Sequence, residues 1–240
     1  MGYDALLETS YRGAMAFARP LGRAGALGLG LVYASQGAQT AYDGRGDSTG
    51  RFTPLDLSLG AAYAHRLGSA LLGAGFKLIR STLVDRSGMT VAADLGLVFK
   101  HVADLGDGPF DAGASVSNLG PPLKLGETAD PLPLRARAGG VWHLSSTFDA
   151  ALDVVFRVDQ DPSAALGLEA RLPASSWGSA KPWFAALRAG YDQNRARGVD
   201  GLVGMSAGLG FDFSTLRADY AWVPMGDLGM TNRITLAFRF

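Results

Sequence analysis

The sequence predicts an all-β protein, an antiparallel up-and-down transmembrane β-barrel, and three observations lead to this prediction. Apolar residues alternate with small, polar or charged residues along most of the 240 positions. The alternating runs are about ten residues or longer, which is the length that a tilted strand needs to cross a bilayer. Turn sequences rich in Gly, Pro, Asp, Asn and Ser separate the runs. We expect one domain covering residues 1–240.

Thirteen strands are predicted from this alternation. The run "FDAALDVVFR" is typical, because Phe148, Leu152 and Phe156 share one face while Asp149 and Asp153 share the other. A helix is disfavoured since glycines lie inside the runs, where each costs about 1 kcal/mol relative to alanine. The predicted strands cover about 10–19, 25–36, 54–66, 69–82, 88–101, 109–118, 133–144, 146–157, 163–172, 182–193, 202–213, 214–223 and 230–240.

The connections differ in length. "HRLGS" (65–69), "LSST" (144–147) and "FST" (213–215) are tight, whereas "TAYDGRGDSTGRFT" (40–53) and "NLGPPLKLGETADPLP" (118–133) are long. Short turns on one side and longer loops on the other are typical of transmembrane barrels. A soluble β-sandwich or propeller with an apolar core is the alternative. The length of the strands and the aromatic residues near their ends favour the barrel.

The two faces of the strands predict different surroundings. The apolar face carries aromatic residues near strand ends, as in the interfacial girdles of membrane barrels. We predict that it faces lipid, with girdle residues Tyr63, Trp142, Phe156, Trp183, Tyr191, Trp222, Phe238 and Phe240. We predict that the opposite face lines a lumen, with Asp94, Arg135, Arg137, Asp149, Asp153, Glu169, Arg188, Arg217, Asp219 and Arg233 as lining residues.

Opposite charges on neighbouring strands are expected to pair across this lumen. Such pairs tie the wall together, and the alternative is that they form a substrate pathway. Glycine and alanine occupy many of the other positions on the same face, which leaves space or permits bends. This mixture predicts a lumen that is narrow or partly plugged rather than a wide water channel.

Composition excludes several functions. Lysine plus arginine and aspartate plus glutamate both number 22, so nothing suggests a nucleic-acid partner. The absence of cysteine excludes disulfides and thiolate metal sites. His65, His101 and His143 lie far apart and form no metal-ligand pattern. We expect no catalytic residues, no metal and no cofactor, so the protein is predicted not to be an enzyme. A lipid-acting barrel hydrolase with His65 as its base is the disfavoured alternative.

Four stretches in a fixed order resemble a known family. They are "DLSLGAAYAHRLGSALLGAGFKLI", "GASVSNLGPPLKL", "DPLPLRARAGGVW" and "LRADYAWVPMGDLGMTNRITLAFRF". Their patterns resemble those of the PorV/PorQ family of bacterial outer-membrane proteins, which is itself similar to the FadL-type long-chain fatty-acid transporters. The resemblance runs along most of the chain, from about Tyr11 to Phe240. It implies a 14-stranded barrel in the bacterial outer membrane.

The resemblance also implies partners. These are the outer-membrane bilayer, the barrel assembly machinery acting on the C-terminal strand, and either type IX secretion components or a hydrophobic ligand for FadL-like transport. The sequence departs from the family at its start, where the usual signal peptide and small-residue segment are not seen. Thirteen strands is also an odd number, whereas single-chain bacterial barrels are even. We therefore expect the N-terminal signal or plug segment and the first strand to be missing.

Overall fold

The computed structural model describes residues 1–5, 10–106, 108–174, 183–198 and 201–240, which form a closed antiparallel barrel of fourteen strands. Each strand pairs with its neighbours in the wall, and the last strand is joined to the second through the first. The wall strands are β1 (Gly2–Ala5), β2 (Tyr11–Pro20), β3 (Ala26–Ser35), β6 (Leu55–Leu67), β7 (Ala70–Leu83), β8 (Arg86–Leu105), β9 (Gly108–Leu119), β12 (Arg135–His143), β13 (Phe148–Arg157), β14 (Gln160–Pro173), β15 (Trp183–Asp192), β16 (Met205–Phe213), β17 (Leu216–Pro224) and β18 (Met230–Phe238).

Two small hairpins lie outside the wall. The first pairs β4 (Gln39–Tyr42) with β5 (Ser48–Phe52), and the second pairs β10 (Leu123–Leu125) with β11 (Thr128–Asp130). The helical elements with described bounds are short: α1 (Gln193–Ala196) and two 3-10 turns, Gly22–Ala24 and Gly226–Leu228. No helix in the described part of the chain has the length and apolar character needed to cross a membrane.

All thirteen predicted strands are confirmed, with ends that shift by a few residues. Residue 182, the predicted start of one of them, lies outside the described residues. The odd count of thirteen is corrected by β1, which pairs with Asn232–Thr235 of β18 on one side and with Tyr11–Ala14 of β2 on the other. Four residues are too few to show a period of two, so the sequence pattern could not identify this strand. The expected signal or plug segment before β1 stays a prediction.

Connection lengths distinguish the two ends of the barrel only in part, because the two-residue turns 84–85 and 158–159 lie at the same end as the long connections. We call the end that carries Met1 and Phe240 the terminal end, and the opposite end the loop end. The three tight turns predicted from sequence all lie at the terminal end, where residues 68–69, 144–147 and 214–215 connect their strands. Both long connections, residues 36–54 and 120–134, lie at the loop end.

The strand register gives every strand an outward apolar face. Along one line around the wall the outward side chains include Leu29, Leu59, Phe76, Leu95, Leu152, Leu166, Leu187, Leu209 and Ile234, and each of them is exposed. Charged side chains on the outward face of the described strands, such as Arg19 and Arg80, lie near the strand ends. Buried apolar side chains are few and mostly small, so a soluble-type core is absent from the described residues.

The connection of residues 120–134 folds into the barrel against the inner face of β8. Thr90 donates its hydroxyl hydrogen to the carbonyl of Pro121 at 2.9 Å, and Ala92 is buried beneath the same connection. Gly88 is required there, because a Cβ at this position would lie 2.1 Å from the carbonyl oxygen of Lys124. The inserted segment narrows the lumen at the loop end. The mixture of Gly, Ala and a few charges on the inner face predicts a lumen that is narrow or partly plugged.

Candidate functional site

The register brings the predicted lumen-lining residues to one face of the wall. The residues Asp94, Arg135, Arg137, Asp149, Asp153, Glu169, Arg188, Arg217, Asp219 and Arg233 all alternate with the exposed apolar positions, so their side chains start from the inner face. The period of two alone determines this placement, since successive residues of a strand point to opposite sides. The alternation does not predict which of these charged side chains form ion pairs with each other.

Nine inward side chains form one continuous chain of ion pairs and hydrogen bonds near the terminal end, which we call the ionic belt. Its members, in spatial order, are Lys100, Asp111, His143, Asp149, Arg171, Glu169, Arg188, Asp219 and Arg217. They come from β8, β9, β12, β13, β14, β15 and β17. Lys100, Arg171, Arg188 and Arg217 balance Asp111, Asp149, Glu169 and Asp219, so the belt is neutral when His143 is uncharged.

Glu169 is the central acceptor of the belt. Its two carboxylate oxygens accept hydrogen bonds of 2.6 Å each, one from Nε of Arg171 and one from Nε of Arg188. Arg171 also donates to Asp149, which lies directly opposite Glu169 across the β13–β14 ladder. Two carboxylates at opposed positions would repel each other, and the Arg171 guanidinium between them offsets that repulsion.

Arg188 reaches over a whole strand to continue the belt. Its Nη1 donates to Oδ1 of Asp219 at 2.7 Å, although β16 separates their strands. Gly210 of β16 makes this possible, because a Cβ there would lie 2.6 Å from Oδ1 of Asp219 and 2.8 Å from Nη1 of Arg188. Asp219 also accepts from Nε of Arg217 at 2.9 Å. This glycine therefore has a specific packing role.

His143 joins the two halves of the belt. Its Nδ1 lies 2.7 Å from Oδ1 of Asp149, and its Nε2 lies 3.3 Å from Oδ2 of Asp111. The Asp111 carboxylate also accepts hydrogen bonds from Nζ of Lys100 at 2.6 Å and from the backbone N–H of His101 at 2.8 Å. Every carboxylate of the belt accepts a hydrogen bond from a cationic side chain or a backbone N–H group.

The remaining predicted lining residues form separate contacts. Asp94 accepts from Nζ of Lys77 at 2.8 Å and from the backbone N–H of Asn118 at 2.8 Å. Arg137 pairs with Asp153 on the neighbouring strand. Arg233 lies 4.0 Å from Asp4 of β1, which is a loose pair.

Arg135 is exposed at the loop end of β12, opposite Ser117 and Arg157 in the two ladders. No ion pair of Arg135 is found within the described part of the chain. The structure thus brings five predicted residues into the belt, namely Asp149, Glu169, Arg188, Arg217 and Asp219. The other five, Asp94, Arg135, Arg137, Asp153 and Arg233, lie apart from it.

Sequence reasoning missed several members of this site. Lys100, Asp111, His143 and Arg171 belong to the belt, and Asp212 receives both terminal nitrogens of Arg239, with the closest pair at 2.7 Å. The same alternation would have assigned Asp111, Arg171 and Asp212 to the inner face. The role of His143 carried no such signal, because its partners come from strands far apart in sequence.

The inner face of the first wall strands is very different. Around a cavity of about 600 Å³ the inward side chains are small, and they include Ala16, Ala18, Gly28, Gly30, Ala62 and Gly75. The pair Lys77 and Asp94 forms the polar boundary of this region. We call this surface the small-residue trough. The inner face is therefore lined mostly by small residues along the middle of β2, β3, β6 and β7, whereas the ion pairs described above lie along β8 to β17.

The predicted girdle residues lie on the outward face of the wall. Tyr63, Trp142, Trp183, Phe238 and Phe240 lie towards the terminal end, and Phe156, Tyr191 and Trp222 lie towards the loop end. Two of them also bond to turns at the terminal end. Trp142 donates its indole hydrogen to the carbonyl of Leu105 at 2.9 Å, and the Tyr63 hydroxyl donates to the carbonyl of Ala24.

The arrangement of the histidines gives no support to catalysis. His65 has its Nδ1 3.2 Å from the hydroxyl of Tyr63 and stacks on that ring, with no serine hydroxyl among its hydrogen-bond partners in the described residues. His101 pairs with Asp104 at 2.7 Å in an exposed position. No group of three potential metal ligands is found among the described residues.

Comparison of the chain with models of known protein families and with curated proteins finds no match. The structure itself shows a closed 14-stranded antiparallel barrel, which is the form that outer-membrane barrel proteins have. Its exterior is apolar and exposed, and its lumen has the ionic belt on one side and the small-residue trough on the other.

Replacing Glu169 by Gln tests the ionic belt. We expect the free energy of unfolding to fall by about 1–3 kcal/mol, because two charge-assisted hydrogen bonds weaken and Arg171 and Arg188 are left facing each other. The measurement is urea unfolding of the barrel in detergent micelles. The matched control is Asp153→Asn, which removes one pair at an open position and should cost less than about 1 kcal/mol. Equal losses in the two variants would contradict a cooperative belt.

Proposed function

We propose that this protein is an integral outer-membrane β-barrel of the PorV/PorQ type. The observation that carries the proposal is the exposed apolar exterior, which continues from strand to strand around the wall. Leu29, Phe76, Leu95, Leu166 and Ile234 are each more than half exposed, at 58%, 59%, 52%, 55% and 51%. Contiguous apolar surface of this extent is rare on soluble monomers, and it matches the lipid-facing band of membrane barrels.

The hydrogen bonding of the wall supports the same proposal. Within a bilayer each backbone N–H and C=O must find its partner inside the protein, and a closed barrel is the only sheet that achieves this. The location of the outward charges also agrees, because Arg19 and Arg80 lie near strand ends, where headgroups and water are within reach. The order of the four family-like stretches supports the PorV/PorQ part of the proposal.

Two substitutions one residue apart test the membrane location. Leu95→Arg places a charge on the outward face, and we expect it to cost about 2–4 kcal/mol if the position lies near the bilayer midplane. Gly96→Arg is the matched control, since a Cβ at Gly96 has open space and points into the lumen. The readout is the fraction of protein in lipid vesicles that keeps the faster gel mobility of an unboiled barrel. Equal tolerance of the two variants would count against a lipid-facing exterior.

A transport role, in which the barrel carries a hydrophobic small molecule across the outer membrane, is supported by one feature of the lumen. The small-residue trough offers an apolar surface and a cavity of about 600 Å³, with the Lys77–Asp94 pair at its boundary. Such a surface suits a long-chain amphiphile, whose hydrocarbon would lie against Gly and Ala positions while its head meets the paired charges.

Narrowing the trough tests this role. We expect Ala62→Leu, whose side chain enters the cavity, to weaken binding of dansyl-labelled undecanoic acid by roughly five- to tenfold. Ala74→Leu adds the same side chain on the outward face of β7, outside the lining of this cavity, and should bind like the unchanged protein. The measurement is dansyl fluorescence titration of the folded barrel in micelles. Absence of saturable binding, or the same loss in both variants, would remove the transport role.

A secretion-associated role, in which the barrel holds exported proteins at the outer membrane, is favoured by the ordered β4–β5 hairpin at the loop end. This hairpin is almost wholly exposed, and the side chain of Tyr42, the last residue of β4, is 67% exposed. Its turn is held by Asp43, which accepts from the backbone N–H groups of Asp47 and Arg45, and these donors lower the pKa of Asp43. Replacing residues 39–52 by a short Gly-Ser linker should leave the barrel folded and should reduce protein export by bacteria that produce the shortened protein. Export equal to that of bacteria with the unchanged protein would argue against this role.

A further inference from the structure

The tip of the β4–β5 hairpin carries Arg45, Gly46 and Asp47, which have no part in the wall or in the ionic belt. This Arg-Gly-Asp tripeptide occurs once in the chain. Both charged side chains are exposed, and within the described residues neither of them forms an ion pair or a side-chain hydrogen bond. The structure therefore leaves a guanidinium and a carboxylate free at the tip of an ordered hairpin.

Hydrogen bonds hold this tip in one conformation. The backbone N–H of Gly46 donates to the carbonyl of Asp43 at 3.1 Å, and that of Asp43 donates to the carbonyl of Asp47 at 2.9 Å. The Asp43 carboxylate accepts from the backbone N–H groups of Arg45 and Asp47 at 2.8 and 3.0 Å. Gly46 has a φ of 89°, a conformation that favours glycine after such a tight turn. A partner meets the two charges already ordered, which lowers the entropic cost of binding.

The spacing of the two charges lets one partner contact both of them. Arg45 and Asp47 are two residues apart, so their Cα atoms lie within about 7 Å of each other. Gly46 between them has no side chain, and a Cβ there would find no atom of the barrel within 4 Å. The backbone at the tip is therefore uncovered, and a partner surface can approach it closely.

A surface of one sign fits this tip badly. Phosphate groups of nucleic acid or lipid would be attracted to Arg45 but repelled by Asp47 and Asp43, and a basic protein surface would meet the opposite conflict. A divalent cation held by a protein avoids both conflicts, because its open coordination position is positive while acidic ligands surround it. Carboxylate oxygens are preferred ligands of such cations, and a guanidinium pairs with carboxylates through two parallel hydrogen bonds.

We propose that Arg45, Gly46 and Asp47 form a docking site for a receptor protein that carries a divalent cation. Asp47 takes an open coordination position of the cation, Arg45 pairs with acidic side chains beside it, and Gly46 lets the two backbones come close. The inference rests on the proposed membrane location, because the longer loops of such barrels face the outside of the cell. It goes beyond the secretion-associated role, since the partner is a receptor outside the cell rather than an exported protein.

Receptor binding to the folded barrel in detergent micelles tests the site. The probe is a soluble integrin ectodomain, an adhesion receptor that binds carboxylate ligands through a divalent cation, supplied with excess Mn²⁺. We expect saturable binding in surface plasmon resonance, and displacement by an excess of the peptide GRGDS, which is the sequence of residues 44–48. Chelation of the cation should weaken binding at least about tenfold, because the Asp47 carboxylate then loses its ligand-binding partner.

Asp47→Glu is the sharpest variant, because it keeps the charge but moves the carboxylate by one methylene. We expect at least about tenfold weaker binding, since the carboxylate and the guanidinium then no longer match the cation and its acidic neighbours. The matched control is Asp85→Glu, which makes the same change at an exposed residue of another turn at the loop end and should bind like the unchanged protein. Both variants should keep their heat-dependent gel mobility, because neither residue belongs to a wall strand.

Asp43→Ala tests the presentation of the tripeptide by the turn. It leaves Arg45, Gly46 and Asp47 unchanged but removes the acceptor of two backbone N–H groups, so we expect binding to weaken by roughly three- to tenfold. Binding as strong as that of the unchanged protein would contradict the role of the ordered turn.

Three results would overturn the inference. Binding that survives chelation, or that is equal in Asp47→Glu and the unchanged protein, would mean non-specific adsorption. Binding by the purified barrel but not by intact bacteria that produce it would place the tip on the inner side of the membrane. No binding by a barrel with normal gel mobility would reject the docking site alone, whereas a protein without heat-dependent mobility would also reject the membrane proposal.

Discussion

The closure of one hydrogen-bonded sheet on itself is the constraint on which the rest of the structure depends. Once fourteen strands pair in a ring, each side chain has only two places to go, outward or into the lumen. The alternating sequence satisfies this division at nearly every position of the wall. The exposed apolar exterior and the charged interior are thus two consequences of one pairing scheme, and a shift of a strand by a single residue would exchange them.

The interior shows how the wall accommodates charge. Nine side chains from seven strands form the ionic belt, and they connect strands that are separated by up to about 120 residues in sequence, from Lys100 to Arg217. Gly210 lets the belt pass over β16, and the trough on β2, β3, β6 and β7 carries no member of it. The belt fixes the neighbours of each strand by charge as well as by backbone pairing, while the trough leaves space for an apolar guest.

The sequence predicted the parts of this fold that follow from local pattern. Period two and turn composition predict the thirteen long strands and the location of the long connections. Period two also predicts that Leu95 points outward and Asp94 points into the lumen. The short β1 could not be predicted, because four residues carry no pattern. The pairing of His143 with both Asp111 and Asp149 could not be predicted either, since it depends on which strands become neighbours. The insertion of residues 120–134 into the lumen depends on tertiary packing against Gly88 and Thr90.

The membrane proposal requires that the apolar face of each strand lies in lipid and that the opposite face lies in the water of the lumen. The chain contains no cysteine, so single cysteines can be placed at each position from Ala70 to Leu83 of β7 and labelled with a nitroxide. In lipid vesicles, we expect oxygen to reach the labels at 72, 74, 76 and 78 best, and a water-soluble nickel complex to reach those at 73, 75 and 77 best. Uniform access of the nickel complex along β7 would show that the apolar face lies in water and would contradict the membrane barrel.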